Sequence, residues 1–118
     1  MVLVDTSVWV AHLRQGTIGL EALLNEGRVL CHPFVVGELA CGNLRNRNEI
    51  LVLLQALPQV IRAEHGEVMY FIENNNLMGK GLGYIDMNLL ASALVTNVPL
   101  WTLDKKLNAV AVKLDLAL

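Results

Sequence analysis

The sequence predicts an α/β fold in which a mostly parallel central sheet is flanked by helices. Two short apolar runs support this prediction: Val2–Val4 shows no polar alternation, and residues 100–103 are apolar apart from one hydroxyl. Such runs are typical of strands that are covered on both faces inside a parallel sheet. Segments with helical periodicity and short connections lie between them, and this alternation is typical of parallel α/β architectures.

Length and composition narrow the class of protein. A chain of 118 residues is long enough for one domain with a real core, so we expect a single domain over residues 1–118. Its hydrophobic content of 54% is high for a globular domain, which predicts that some apolar surface is covered by a partner. The net charge of -2 is unexpected for a protein that grips a phosphate backbone, so any nucleic-acid function must account for it.

No apolar run reaches the roughly 18 to 20 residues that span a bilayer. The first residues also lack the basic region of a secretory signal. We therefore expect a cytoplasmic protein without a membrane partner. Cys31 and Cys41 lie ten residues apart without zinc-ligand spacing, and we interpret both as buried, reduced thiols.

The first third of the chain reads as two helices and a strand. Apolar spacing predicts a helix from Thr6 to about Arg14, capped by Asp5 or Thr6 and ended by Gly16. A second helix follows from about residue 18 and stops at Gly27, since glycine suits a left-handed helix end. Residues 28–31 are a short strand candidate.

Pro33 is well placed in the first turn of a third helix, where its missing N–H has no intrahelical partner. This helix carries Glu38 among apolar residues. If Glu38 is buried it needs a hydrogen bond, a cation or a metal, but it could equally lie on an exposed stripe. A further helix is predicted from about residue 48 to residue 57, ended by Pro58.

The middle of the chain is less clearly marked. Residues 59–62 are a weak strand candidate, and residues 63–76 are predicted to be a long helix. The glycine-rich segment 78–83 has neither the glycine spacing nor the Lys-Ser/Thr ending of a phosphate-binding loop. A plain flexible connection is the favoured interpretation, although three glycines around Lys80 could let the backbone approach a phosphate.

The last third repeats the pattern of the first. A strongly apolar helix opens at Tyr84, with Asp86 in its first turn, where a carboxylate also suits the helix dipole. The strand at residues 100–103 then ends at Asp104. Residues 105–113 continue as a helix, and residues 114–118 could form a final edge strand.

Four acids are best interpreted together. Asp5, Asp86 and Asp104 each lie at the end of a buried strand or in the first turn of a helix. In a parallel sheet such positions share one edge, where α/β folds bind ligands, so these acids should converge, with Glu38 as a fourth. Capping explains each aspartate separately, but it does not explain the set.

Clustered carboxylates repel one another unless a cation is present. Oxygen ligands without nearby His or Cys suit a hard cation, Mg2+ or Mn2+. Such ions polarise a phosphate oxygen and activate water, which makes phosphodiester hydrolysis the predicted reaction class. The metal would also allow an acidic protein to handle an anionic substrate.

Four segments, in order, resemble PIN-domain ribonucleases, and most closely the VapC-type toxins of toxin–antitoxin pairs. They are residues 4–9, the Pro33 helix with Glu38, the Tyr84 helix with Asp86, and residues 100–104. The resemblance covers nearly the whole chain. It implies a PIN-like three-layer sandwich and a Mg2+- or Mn2+-dependent endoribonuclease.

By position, the resemblance implies that Asp5 and Asp86 are metal ligands and that Glu38 and Asp104 complete an acidic quartet. Thr102, with Thr6 or Ser7, would orient water or a carboxylate. The implied partners are an RNA substrate, a cognate antitoxin and a second copy in a homodimer. Two alternatives stay open, a non-catalytic PIN-like interaction module and a nuclease acting on DNA, while the missing mid-chain aspartate argues against a receiver-type signalling domain.

Overall fold

Three parallel strands form the centre of the computed structural model, which describes residues 1–118. They are β1 (Val2–Val4), β2 (Val29–Leu30) and β3 (Leu100–Trp101), in the order β2-β1-β3. In the register, Leu3 lies opposite Leu30 on one side and Leu100 on the other. All three residues of β1 are buried. Because successive side chains of a strand point to opposite faces, both faces of β1 are covered, as predicted.

Seven helices surround this sheet, and each coincides with a segment predicted to be helical. They are α1 (Thr6–Gln15), α2 (Ile18–Asn25), α3 (Pro33–Ala40), α4 (Arg47–Ala56), α5 (His65–Asn74), α6 (Tyr84–Thr96) and α7 (Lys105–Lys113). Gly16 follows α1 with φ 77° and Gly27 follows α2 with φ 68°, so the predicted glycine stops are left-handed residues. Pro33 is the first residue of α3.

The strands predicted at residues 59–62 and 114–118 contain more residues than the structure pairs with the sheet. Residues 59–62 contribute only one parallel bridge, between Gln59 and Cys31. The backbone then leaves the sheet, because the Ile61 N–H donates to the Thr96 hydroxyl at 3.0 Å. Likewise, residues 114–118 contribute one parallel bridge, from Ala117 to Leu100.

The predicted strand at residues 100–103 is also shorter than expected, since β3 ends at Trp101. Beyond it, the N–H groups of Leu103 and Asp104 donate to the side-chain hydroxyls of Ser7 and Thr102, each at 3.0 Å. Side chains thus replace the sheet partners of this segment, and the chain is held at the sheet edge until α7 begins.

The core lies between the sheet and the helices. Its largest fully buried side chains are mainly leucines from β1, α2, α6, β3 and α7: Leu3, Leu20, Leu89, Leu90, Leu100 and Leu107. Cys31 is buried, whereas Cys41 is exposed because it lies at the solvent-facing end of α3, so the expectation of two buried thiols was wrong for Cys41. Both thiols are free. No helix is long and apolar enough to cross a bilayer.

Candidate active site

Asp5 lies at the carboxyl end of β1, where its side chain is buried. Its Oδ2 accepts hydrogen bonds from the hydroxyls of Ser7 at 2.7 Å and Thr102 at 2.6 Å. Asp5 occupies the N-cap position of α1, yet its carboxylate makes no capping hydrogen bond to the helix. The Asp5 side chain therefore binds the Ser7 and Thr102 hydroxyls at the sheet edge and not the helix. Helix capping does not explain its burial.

The two hydroxyls join the ends of β1 and β3. Thr102 Oγ1 donates to Asp5 and accepts from the Asp104 N–H, while Ser7 Oγ donates to Asp5 and accepts from the Leu103 N–H. The two oxygens lie 3.3 Å apart. Since Asp5 and Thr102 are both buried, the hydrogen bond between them is shielded from water and holds the Asp5 carboxylate in one orientation.

Asp86 lies in the first turn of α6, half-buried, and its Oδ2 accepts from the Gly83 N–H at 3.2 Å. Burial raises the pKa of Asp86 above its ordinary value, whereas the Gly83 hydrogen bond lowers it. The negative charges of Asp5, Asp104 and Glu38 raise this pKa further. Asp5, Asp104 and Glu38 therefore each lie near enough to Asp86 to repel its charge, although the four acids come from four separate parts of the chain.

The two remaining acids are more exposed. Glu38 lies on the solvent-facing side of α3, which decides between the two alternatives left open by its sequence position. Its Oε1 accepts from the Thr6 hydroxyl at 2.6 Å. Asp104 is the N-cap of α7 and its Oδ1 accepts from the Leu107 N–H at 3.0 Å, so this residue does cap a helix.

All four carboxylates share one feature: one oxygen accepts the hydrogen bonds described above, and the other makes no hydrogen bond to the protein. No lysine or arginine neutralises them, because the chain's single ion pair joins Arg28 and Glu26. A set of oriented carboxylates with free oxygens suits a hard divalent cation in its chemistry. The side chains are nevertheless spread apart, and no three His, Cys, Asp or Glu residues are close enough to hold an ion together.

This acidic edge can be compared with known proteins. A family model described as PIN domain matches residues 2–113. The chain belongs to the PIN-domain family. Over 119 aligned positions the PIN domain is 44% identical to Ribonuclease VapC32 of Mycobacterium tuberculosis, in strain CDC 1551 / Oshkosh and in strain ATCC 25618 / H37Rv. The alignment covers 100% of this chain and 96% of each relative. The resemblance to VapC-type PIN ribonucleases and the predicted α/β fold are confirmed.

The hydroxyls of Thr6 and Ser7 in the PIN domain have more specific partners than their sequence positions predicted. Thr6 and Ser7 appeared as alternatives for one role, but the structure gives them different partners, Glu38 for Thr6 and Asp5 for Ser7. The sequence also gave no signal for the pairing of His65 with the Tyr84 hydroxyl at the start of α6. The pairs Thr6–Glu38 and His65–Tyr84 are 32 and 19 residues apart in the chain, so only the packing of the helices reveals them.

Proposed function

We propose that this PIN-domain protein is a divalent-metal-dependent endoribonuclease that hydrolyses RNA phosphodiester bonds. The observation that supports this proposal best is geometric: the hydroxyls of Thr6, Ser7 and Thr102 hold Glu38, Asp5 and the Asp104 backbone at one sheet edge, near Asp86. A group of mutually repelling acids without a basic partner is unfavourable by itself and is relieved by a bound cation. The full-length similarity to a protein named as a ribonuclease supports RNA as the substrate.

In the proposed site, the free carboxylate oxygens of Asp5, Glu38, Asp86 and Asp104 would hold Mg2+ or Mn2+ after their side chains, which lie too far apart here for any three to share an ion, move closer together. A cation bound there would polarise the scissile phosphate and lower the pKa of the attacking water. Thr102 and Ser7 would fix the orientation of Asp5, and Thr6 would do the same for Glu38. The Asp104 and Asp86 carboxylates are each held by one backbone N–H, so all four acids are oriented before substrate binds.

We further propose that the protein acts in the cytoplasm as the toxin of a VapBC-type pair, binds a cognate antitoxin and forms a homodimer. Two surfaces support the need for partners. On α4, Val52 and Leu53 are more than half exposed. On α5 and α6, Tyr70 and Leu94 are similarly exposed beside a groove of about 410 Å³. Covering these apolar side chains would be favourable.

The decisive experiment is cleavage of a panel of structured RNAs with Mg2+ or Mn2+, comparing the wild type with Asp5→Asn. Asparagine keeps the size of the side chain but removes its charge. We expect the wild type to cleave RNA and the variant to be slower by about 100-fold or more, since even indirect metal partners cost 10- to 100-fold. Asp115→Asn is the matched control, because Asp115 is exposed and follows α7 near the opposite end of β3.

Equal cleavage by the wild type and Asp5→Asn would refute the proposed site. Absence of cleavage in all metals would favour a non-catalytic interaction module. Parallel assays with DNA of the same sequences would identify a nuclease whose preferred substrate is DNA.

A further inference from the structure

A groove of about 460 Å³ lies between the glycine-rich loop and α7, outside the acidic site. Its lining comprises three lysines, two asparagines and four apolar residues: Lys80, Lys106, Lys113, Asn75, Asn76, Leu77, Ala109, Val110 and Leu114. The chain has only four lysines, so three of them share one groove. We call this feature the lysine groove.

The positions of the three lysines make the groove a continuous basic surface. Lys106 and Lys113 are seven residues apart on α7, which places them on the same face of the helix about 10 Å apart along its axis. Lys80 comes from the loop on the opposite wall. The Lys106 side chain lies across the backbone of Gly81, where an added Cβ would come within 3.1 Å of the Lys106 Cδ. The glycine therefore allows the lysine and the loop to approach closely.

No ion pair neutralises this surface. No acidic residue lines the groove, and the single ion pair of the chain involves neither the loop nor α7. Three unpaired ammonium groups in a chain of net charge -2 form a local positive surface that the overall charge conceals. A polyanion is the ligand that matches this charge, and lysine is a common partner of phosphate groups.

The lysine groove lies directly beside the acidic site. Lys106 follows Asp104 by two residues, and Gly81 precedes Gly83, the residue whose N–H holds Asp86, by two residues. Two residues span at most about 7 Å, so both walls of the groove begin next to a proposed metal ligand. The groove therefore lies within reach of an RNA strand whose scissile bond is in the acidic site.

We propose that the lysine groove binds phosphates of the RNA strand next to the scissile bond, with Lys80, Lys106 and Lys113 as the phosphate-binding residues. The inference rests on the proposed ribonuclease function and names the part of the chain that holds its substrate. It also addresses the conflict between an acidic protein and an anionic substrate, because three of the nine basic residues lie where the strand continues. The contacts are to the backbone, so they position the strand and are insensitive to its base sequence.

The test is direct binding of a fluorescein-labelled, mixed-sequence single-stranded RNA in EDTA, measured by anisotropy over a range of salt concentrations. Without metal the assay does not depend on hydrolysis. Each phosphate contact on a single strand contributes about 0.7 to the slope of log affinity against log salt. For a variant with Lys80, Lys106 and Lys113 all changed to Gln, we expect the slope to fall by about 2 and the affinity at low salt to fall about tenfold or more.

Two single variants serve as matched controls. Arg28→Gln removes the same charge at the amino end of β2, at the opposite edge of the sheet, and should preserve both affinity and slope. Lys105→Gln changes the neighbour of Lys106, which is exposed but outside the groove, and should weaken binding less than Lys106→Gln.

Unchanged affinity and slope in the triple variant would overturn the proposal, as would equal losses for Lys105→Gln and Lys106→Gln. The proposed function is tested separately by cleavage with Mg2+ or Mn2+. If the lysine substitutions weaken RNA binding but the protein cleaves no RNA, the proposed nuclease activity is refuted and the RNA-binding role of the groove is supported. If the protein cleaves RNA but binding does not depend on the lysines, the nuclease activity is supported and the role of the groove is refuted.

Discussion

At the scale of single residues, Asp86 combines two opposing effects. Its carboxylate accepts a hydrogen bond from the Gly83 N–H at the start of α6, which stabilises the helix end. Burial and three neighbouring carboxylates nevertheless raise its pKa, so the ionised form is disfavoured in the folded protein. The resulting decrease in the free energy of unfolding is absent at pH values below the ordinary pKa of 3.8. It is complete at pH values above the raised pKa of the folded state. At neutral pH, therefore, the charge of Asp86 destabilises the metal-free protein.

Two substitutions of Asp86 separate these effects. Asp86→Asn removes the charge and keeps an oxygen that can accept from Gly83, so we expect it to raise the melting temperature in EDTA at pH 7. Asp86→Ala also removes the acceptor and should be less stable than Asp86→Asn by about 1 kcal/mol. Thermal melts of the three proteins measure both differences. A lower melting temperature for Asp86→Asn than for the wild type would contradict the charge repulsion.

At the scale of secondary-structure elements, the start of α3 depends on a buried histidine. His32 is the N-cap, fully buried, and its Nδ1 accepts from the Phe34 N–H at 2.9 Å. Burial, together with the nearby charge of Arg62, lowers the pKa of His32 from 6.5 to about 4. The folded protein therefore favours the neutral ring that caps α3. The unfolded chain binds a proton below pH 6.5 that the folded protein excludes until about pH 4.

This histidine predicts a loss of stability in mild acid. The contribution of neutral His32 to the free energy of unfolding is complete above pH 6.5. It is lost as the pH falls toward 4, at up to about 1.4 kcal/mol per pH unit. His32→Asn keeps a capping oxygen but does not titrate. We expect its free energy of unfolding to fall less between pH 6.5 and 4.5 than that of the wild type, measured by urea denaturation. Equal losses in the two proteins would exclude His32 as the acid-sensitive group.

At the scale of the whole molecule, the fold brings unneutralised charge together at one sheet edge. The ends of β1 and β3, the start of α6 and one face of α3 each contribute one acid. A cation that binds this arrangement only in the folded protein stabilises the fold by mass action. The stability of the chain and its proposed activity should therefore respond to the same ion.

We expect Mn2+ or Mg2+ at 100 times its dissociation constant to stabilise the protein by about 2.7 kcal/mol. For a chain of this length the increase in melting temperature is about 10 °C. Asp5→Asn should show a smaller increase, because one charged ligand is missing, whereas Asp115→Asn should respond like the wild type. Differential scanning fluorimetry with a metal titration makes the comparison. The same increase in all three proteins would place the metal elsewhere.

By itself, the sequence determined the features that depend on neighbouring residues. Apolar spacing located all seven helices, Gly16, Gly27 and Pro33 marked helix ends, and the run before Asp5 identified the central strand. These signals are local, because periodicity and backbone restrictions act within one or two turns of chain. The position of Asp5 and Asp104 at one sheet edge was also predictable, since parallel strands place their carboxyl ends at one edge. A metal site formed by all four acids stays a prediction.

Only the tertiary structure decided which side chains meet. It placed the hydroxyls of Ser7 and Thr102 on one carboxylate oxygen of Asp5, although Thr102 is 97 residues away in the chain. In the folded protein Glu38 faces solvent and β3 ends at Trp101. Three lysines from separate parts of the chain line one groove. Such pairings depend on how helices and loops pack across the sheet, and no local pattern of residues encodes that packing.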